Sequence, residues 1–474
     1  MNKRNKVAFY LPYIPDGNTT PHLGPLYLSA LLAADGFDTF VFDERIDRRV
    51  LDALIDFRPD IVGVSAATPA YKRGLSAAAR IKATSPDTYV VFGGAHPSAL
   101  PEDVVAGKNV DFVITGEAEH SFPELCERLR GPDVSASALS GVKNLFYKKS
   151  GAIVRTDPGA FLDDAELDAL PFPAFDRMDI KKYFADSQTH GLFRKGSRVL
   201  PIMSSRGCPH ECAFCCRMMG RRMRYRSADS VMAEIEMLTG KYGADEIYFE
   251  DDNFTANRPR ALDILERLAA FRPKVHVKFA NGIRADFVDA EILSAMKRAG
   301  VYSASFGIES GSPATLVKMK KNLDLDKARK NVELAKSMGF YVGSNCIIGY
   351  PGETPADARE SLDFFLGLNL DSMAIVNLVP FPGTEARRLC EEKGYLSPAA
   401  ADWDNYYFAI DRPIPLINTP ELPADEIEKL IHRAYKKMYL RPSWLLKSAL
   451  RLRPSEILRG ASVMMRHILS GKNS

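Results

Sequence analysis

The chain runs to 474 residues, too long for one ordinary hydrophobic core, so two or three domains are expected. Hydrophobic residues make up 46% and charged residues 26%, the balance of a water-soluble globular protein. A formal net charge of +3 gives no ground for a nucleic-acid partner, and no apolar run reaches the roughly 20 residues that cross a bilayer.

From the start, Met1 to Lys6 is basic, but the apolar stretch after it is short and is interrupted by Pro12, Pro15 and Asp16. That is not the pattern of a signal peptide, and a cytoplasmic protein is expected. Through residue 135, short β-branched or aromatic runs alternate with amphipathic segments. Strands are expected at Val7–Tyr10, Thr39–Phe42, Asp60–Ser65, Tyr89–Phe92 and Phe112–Thr115. Helices are expected at Leu26–Ala34, Val50–Phe57, Gly74–Thr84 and Phe122–Leu129. Such alternation predicts an α/β domain with a parallel, doubly wound, Rossmann-like (flavodoxin-like) sheet, whose ligands sit at the carboxyl ends of the strands. Residues 136–195 lack clear periodicity and read as a linker with room for a small hairpin.

The alternation resumes over residues 196–395. Strands are expected at Val199–Ser204, Glu246–Phe249, Val275–Ala280, Ser303–Ile308, Tyr341–Ile348 and Met373–Val379, each followed by a helical segment. Six β/α units predict an open, partial version of the eight-unit barrel, with its site at the C-terminal strand ends. Residues 396–474 read as a helical region. Its end, from Arg433 to Lys472, mixes many cations with Trp444, Leu445, Leu446 and other apolar residues against a single acid, Glu456. That mixture suits peripheral contact with an anionic membrane, which would imply a lipid-like substrate. It equally suits a helix packed on the barrel with its charged edge in water.

Seven cysteines are present, and Cys208, Cys212, Cys215 and Cys216 crowd into nine residues. Clustered thiols in a reducing compartment are metal ligands or catalytic groups more often than disulfides. Cys208–Pro–His–Glu–Cys212–Ala–Phe–Cys215 falls on the loop after the first barrel strand. Thiolates at this spacing can wrap one face of a cubane cluster and leave the fourth iron open. The rival is a structural zinc site with Cys216 or His210 as fourth ligand, but no second Cys/His pair follows at finger spacing.

The triad, with Phe214 just before its last cysteine, resembles the radical S-adenosylmethionine (SAM) superfamily over roughly residues 196–390. The resemblance implies a 4Fe–4S cluster on Cys208, Cys212 and Cys215, SAM on the open iron, and reductive cleavage to a 5′-deoxyadenosyl radical. It places further SAM contacts at Phe214 and at strand ends. Among Glu250, Asp251, Asp252 and Asn253 lies an acceptor for the methionyl amine. Glu309 and Ser310, in Gly307–Gly311, meet ribose or carboxylate, and Ile348 and Gly349 begin the adenine turn that runs to Glu353. Each glycine run also reads as a plain tight turn, and the acidic stretch as exposed carboxylates.

A doubly wound domain ahead of such a barrel resembles the cobalamin-binding class of the superfamily. Ser65–Ala66–Ala67 and Gly93–Gly94 stand where small residues admit the nucleotide tail of cobalamin, and Gly116–Glu117–Ala118–Glu119 looks like the same class. The Asp-x-His-x-x-Gly motif for a lower axial histidine is absent. Pro21–His22–Leu23–Gly24 stands in its place, with His22 expected in a loop or helix cap, and His96 as either a cofactor contact or a surface residue. Arg221, Arg222, Arg224 and Arg226, in a segment that resembles this class, read by default as a solvated strip and otherwise as an anchor for anionic groups.

The class implies a cobalamin-dependent C-methyltransferase: one SAM methylates cob(I)alamin, a second gives the radical, and the methyl group passes to an unactivated carbon. Alternatives are cyclisation, rearrangement or oxidation on the same cofactors, or a non-catalytic cobalamin sensor or carrier. A methylthiotransferase would need three N-terminal cysteines, and only Cys126 precedes Cys208. The implied partners are a small-molecule or lipid-like substrate and a low-potential donor such as flavodoxin or ferredoxin.

Overall fold

The computed structural model describes residues 4–15, 19–131, 135–185, 193–408, 414–442 and 444–445. The chain divides into two units, Met1–Gln188 with Cys216–Arg226, and Thr189–Cys215 with Ser227–Ser474.

In the first unit, β1 (Lys6–Leu11) buries every residue from Val7 on, because it pairs in parallel with β2 (Asp38–Asp43) on one side and β3 (Ile61–Ser65) on the other. β4 (Tyr89–Gly93) and β5 (Phe112–Ile114) continue the parallel order. The order β2-β1-β3-β4-β5 is the flavodoxin-like one, with its switch point between β1 and β3. Helices α1 (Leu23–Ala34), α2 (Val50–Phe57) and α3 (Tyr71–Thr84) make the first three crossovers, two short helices (Ala95–Ala99 and Pro101–Val105) make the fourth, and α4 (Ser121–Arg130) follows β5. The sheet does not stop at β5. A hairpin of β6 (Leu145–Lys149) and β7 (Ala152–Arg155) adds to it antiparallel, so part of the segment read as a linker extends the domain. Ser150 and Gly151 make the turn at φ 50° and 82°.

The second unit carries β8 (Val199–Ile202), β9 (Glu246–Phe249), β10 (His276–Phe279), β11 (Ser303–Glu309), β12 (Tyr341–Ile348) and β13 (Ser372–Asn377). Every pairing among them is parallel, and bridges Val277–Val301 and Ile283–Phe306 join the two halves into one curved run. This is the expected partial barrel. Helices α5 (Ala228–Tyr242), α6 (Arg258–Ala270), α7 (Ala290–Arg298), α8 (Leu325–Ser337), α9 (Pro355–Leu368) and α10 (Glu385–Lys393) return the chain between and after strands. Each starts on a side chain that accepts a backbone N–H of its first turn: Ser227, Asn257, Asp289, Asp324, Thr354 and Thr384.

An open barrel leaves edge strands with unmet backbone groups. At β13 the remedy is α11 (Ala424–Tyr439). Its Tyr435 hydroxyl accepts from Ile375 N–H at 3.0 Å, and Tyr439 accepts from Met373 N–H at 3.0 Å and donates to Met373 O at 2.8 Å. Trp444 Nε1 donates to Asp371 O at 2.7 Å. The first aromatic residues of the basic tail therefore pack on the barrel. Residues 446–474, the rest of the proposed membrane-contact segment, lie outside the described residues. Among the described residues no helix is long and apolar enough to cross a membrane.

Candidate active site

The cysteine loop leaves the end of β8 and is tied down on three sides. Ser204 N–H and the Ser204 and Ser205 hydroxyls donate to Asp251 at 2.8, 2.6 and 2.5 Å. Ala213 N–H donates to Met319 O, and Ala213 O accepts from Ala386 N–H, both at 2.9 Å. Gly207, at φ 90°, makes the bend into Cys208. Cys208 is half-buried, Cys212 buried and Cys215 exposed.

A hydrogen bond from Cys215 pulls the Cys212 thiol down to about 6, against the opposing effect of burial. Lys321 and Arg284 add to that pull. The Lys321 ammonium lies 6.0 Å from the Phe214 ring and 3.4 Å from Glu309. Burial works to depress the Lys321 pKa, but Glu309 and the thiols outweigh it, and the net shift is upward. Arg284 is clamped on Asp286, with Nε at 2.7 Å and Nη2 at 3.2 Å.

The strand-end residues separate into distinct roles. Asp251 is 3% exposed and spent on the two serines, and burial raises its pKa despite those bonds. Its neighbour Asp252 is exposed and acts electrostatically on Cys208. Glu250 is half-buried, its carbonyl taken by Asn281. Glu309 ends β11 at φ 72°, where the β11–β12 register is interrupted. Ser310 is fully buried, its hydroxyl 2.7 Å from Ser361 and accepting from Ser312 N–H at 3.1 Å. Ile348 is buried at the end of β12, and Gly349 follows at φ 90°. The turn is held by Glu353, which is 0% exposed, accepts from Gly349 N–H at 2.6 Å, and is pushed by burial up to about 7.

The donor set fits an iron–sulfur cluster by its chemistry: three thiols on one short loop, one already drawn toward the thiolate, with cations beside them. Among the described residues no three His, Cys, Asp or Glu side chains converge on one ion, and ligands that each take a different iron need not converge. Cys216 is exposed, and His210 sets its ring against Phe287 at 5.6 Å.

In the first unit, Ser65 and Gly93 face each other in register at the ends of β3 and β4. Gly94, at φ 95°, lies so close to Ala66 that a Cβ would meet its carbonyl oxygen at 3.0 Å, while a Cβ on Gly93 would meet nothing nearer than 3.7 Å. The carboxyl ends of β3 and β4 thus form a cradle of small residues, open at Gly93 and closed on Ala66 at Gly94. His96 is not a surface residue. It is 1% exposed, stacks on Tyr71 at 4.1 Å, and burial lowers its pKa to about 4. His22 stands at the N-cap of α1 without capping it; its Nε2 lies 2.9 Å from Arg45, which is paired in turn with Asp43. Nor is the arginine run a uniform solvated strip. Arg221 and Arg222 are exposed, but Arg224 and Arg226 are buried. Arg224 pairs with Glu117 at 2.8 Å and donates to the carbonyls of Leu162 and Met219.

Comparison with known proteins finds two family models along the chain. Residues 15–126 match the B12 binding domain model, and residues 202–365 match the radical SAM superfamily model. An uncharacterized methyltransferase of Pyrococcus horikoshii is 30% identical, over 91% of this chain and 90% of its own. The chain belongs to the cobalamin-binding radical SAM family. Its cofactors are accordingly a 4Fe–4S cluster, SAM and cobalamin. The cytidylyl-2-hydroxyethylphosphonate methyltransferase of Streptomyces wedmorensis is 28% identical over 77% of this chain and 72% of its own. In fold, the chain is similar to the radical SAM methyltransferase TsrM of Kitasatospora setae, solved with tryptophan and a SAM analogue. The TM-score is 0.71 with 18% identity, covering 99% of each chain.

Proposed function

We propose that this family member methylates an unactivated carbon of a small molecule, with Cys208, Cys212 and Cys215 as cluster ligands. When bound, the cluster with SAM supplies one-electron cleavage chemistry, and cobalamin supplies a methyl carrier. The chain's own residues position and shield these groups. Asp251 fixes the approach to Cys208 through two serines, and Lys321 sets positive charge beside the thiolates. Glu353 holds the Gly349 turn against which SAM adenine would lie, and Asp252 would accept from the methionyl amine. In the first unit Ser65 and Gly93 leave the space that a nucleotide tail would enter, and Gly94 lets the turn pack tightly on Ala66.

The observation that carries this reading is the pairing, in one chain, of the thiol loop at a barrel strand end with the small-residue cradle at the carboxyl ends of β3 and β4. Relatives named as methyltransferases, one of a nucleotide-linked phosphonate, support methyl transfer to a small molecule. The reductant in this reading is a low-potential flavodoxin or ferredoxin. The test is incubation of the anaerobic holoenzyme with SAM labelled in its methyl group, a chemical reductant and extracts of the source cells. Label in a new carbon-bound methyl group supports the proposal. SAM consumption with an altered but unlabelled product would favour cyclisation or oxidation instead.

A further inference from the structure

The thiol loop has two cations for neighbours, Arg284 buried and Lys321 nearly so, and they are not equivalent. Arg284 is matched by Asp286 in a two-point contact, and the same Nη2 also donates to the Asn322 carbonyl. Lys321 has a longer contact, 3.4 Å to Glu309, with both side chains only 12% exposed. Phe214, which sits between Cys212 and Cys215, lies under the ammonium. Lys321 acts electrostatically on Cys208, Cys212 and Cys215 alike.

Two features show that the fold makes room for this pair. Glu309 is a non-glycine residue at φ 72°, a backbone position that is held only where the surroundings fix it. Gly307 lies beneath: a Cβ there would meet Glu309 Oε1 at 3.1 Å and Lys321 Nζ at 3.6 Å.

We propose that Lys321 and Glu309 form a charge couple that sets the reduction potential of the cluster, the ammonium raising it and the carboxylate holding it down. The proposal rests on the reading of the three cysteines as cluster ligands. Reduction by a low-potential one-electron donor adds one negative charge to a site already bounded by three thiolates. No bond is made or broken. A fixed cation at short range and low exposure favours the reduced form, and an anion opposes it.

The test is a potentiometric titration of the full-length, anaerobically reconstituted protein without SAM, read by the paramagnetic signal of the reduced cluster. Iron and sulfide are counted in every sample. Lys321→Met should weaken reduction about tenfold, a fall of about 59 mV for a one-electron couple. Glu309→Gln should shift the potential upward, and Lys321→Arg should keep it close to wild type. The opposite signs matter, since a merely structural ion pair would move both variants the same way. Shifts of one sign, or no shift at full cluster content, overturn the proposal. Should Lys321→Met fail to hold a cluster, the upward shift of Glu309→Gln still decides. Wild-type protein that holds no iron and sulfide overturns the cysteine assignment first, and the proposal with it.

Discussion

Glu353 gives the sharpest quantitative test of the SAM-side architecture, because its replacement should stabilise the protein. Its carboxyl is fully buried, and burial lifts its pKa from the ordinary 4.5 to about 7. A folded-state value above the unfolded one means that the folded state binds the proton more tightly. Stability from this group is therefore complete below about pH 4.5 and is lost as pH rises through 7. The rise from 4.5 to about 7 corresponds to a loss of about 3 kcal/mol at pH 8, and of under about 1 kcal/mol at pH 5. Glu353→Gln keeps an oxygen to accept from Gly349 N–H but has no charge to bury. The variant should thus match wild type closely at pH 5 and gain up to about 3 kcal/mol at pH 8 for any opening that exposes residue 353. Hydrogen exchange read by mass spectrometry on peptides spanning 341–365 measures this locally, and the variant-to-wild-type ratio at each pH removes the intrinsic exchange rate. A ratio that does not change between pH 5 and pH 8, or better protection of wild type at pH 8, would refute the reasoning.

Asp251→Ala removes the acceptor of three donors at the entrance to the thiol loop, each unmet buried donor costing about 1–3 kcal/mol. Loss of at least about 3 kcal/mol in denaturant and reduced iron loading are expected; unchanged values would show that the serines hold the loop without it. His96 has the opposite pH signature to Glu353: its pKa is depressed to about 4, so the stability it confers is present above pH 6.5 and lost as pH falls toward 4. His96→Phe should flatten that acid loss, worth about 3 kcal/mol, in exchange measurements on peptides of the first unit. Arg224→Met takes away the cation that neutralises the buried Glu117 carboxylate and should cost about 3–5 kcal/mol, partly restored by a second change, Glu117→Gln. A double variant no better than the single one would contradict this.

Strands were legible where burial on both faces leaves an unbroken apolar run, as in Val7–Leu11 or Ile347 and Ile348 at the end of β12. The β6–β7 hairpin gave only a hint, because β7 is an edge strand with most of its side chains in water and so carries no alternation. Partners distant in sequence were beyond reach. Nothing near Arg224 names Glu117, and nothing around Lys320 and Lys321 tells that the fold sets the first beside Glu385 and the second beside Glu309. The acidic run after β9 shows the same limit within one stretch. Asp251 and Asp252 are adjacent and chemically equal, yet one is sealed on two serines and the other faces out. Composition could place a carboxylate at that strand end but could not choose between them.

The central claim is that three thiolates hold a cluster able to cleave SAM. Its most direct test is the 5′-deoxyadenosine formed from SAM by anaerobically reconstituted full-length protein under a strong reductant. Wild type should form it, whereas Cys208→Ala, Cys212→Ala and Cys215→Ala should each lose it together with cluster iron. A wild-type protein carrying full iron, sulfide and cobalt that releases none, or a cysteine variant that still does, would contradict the account.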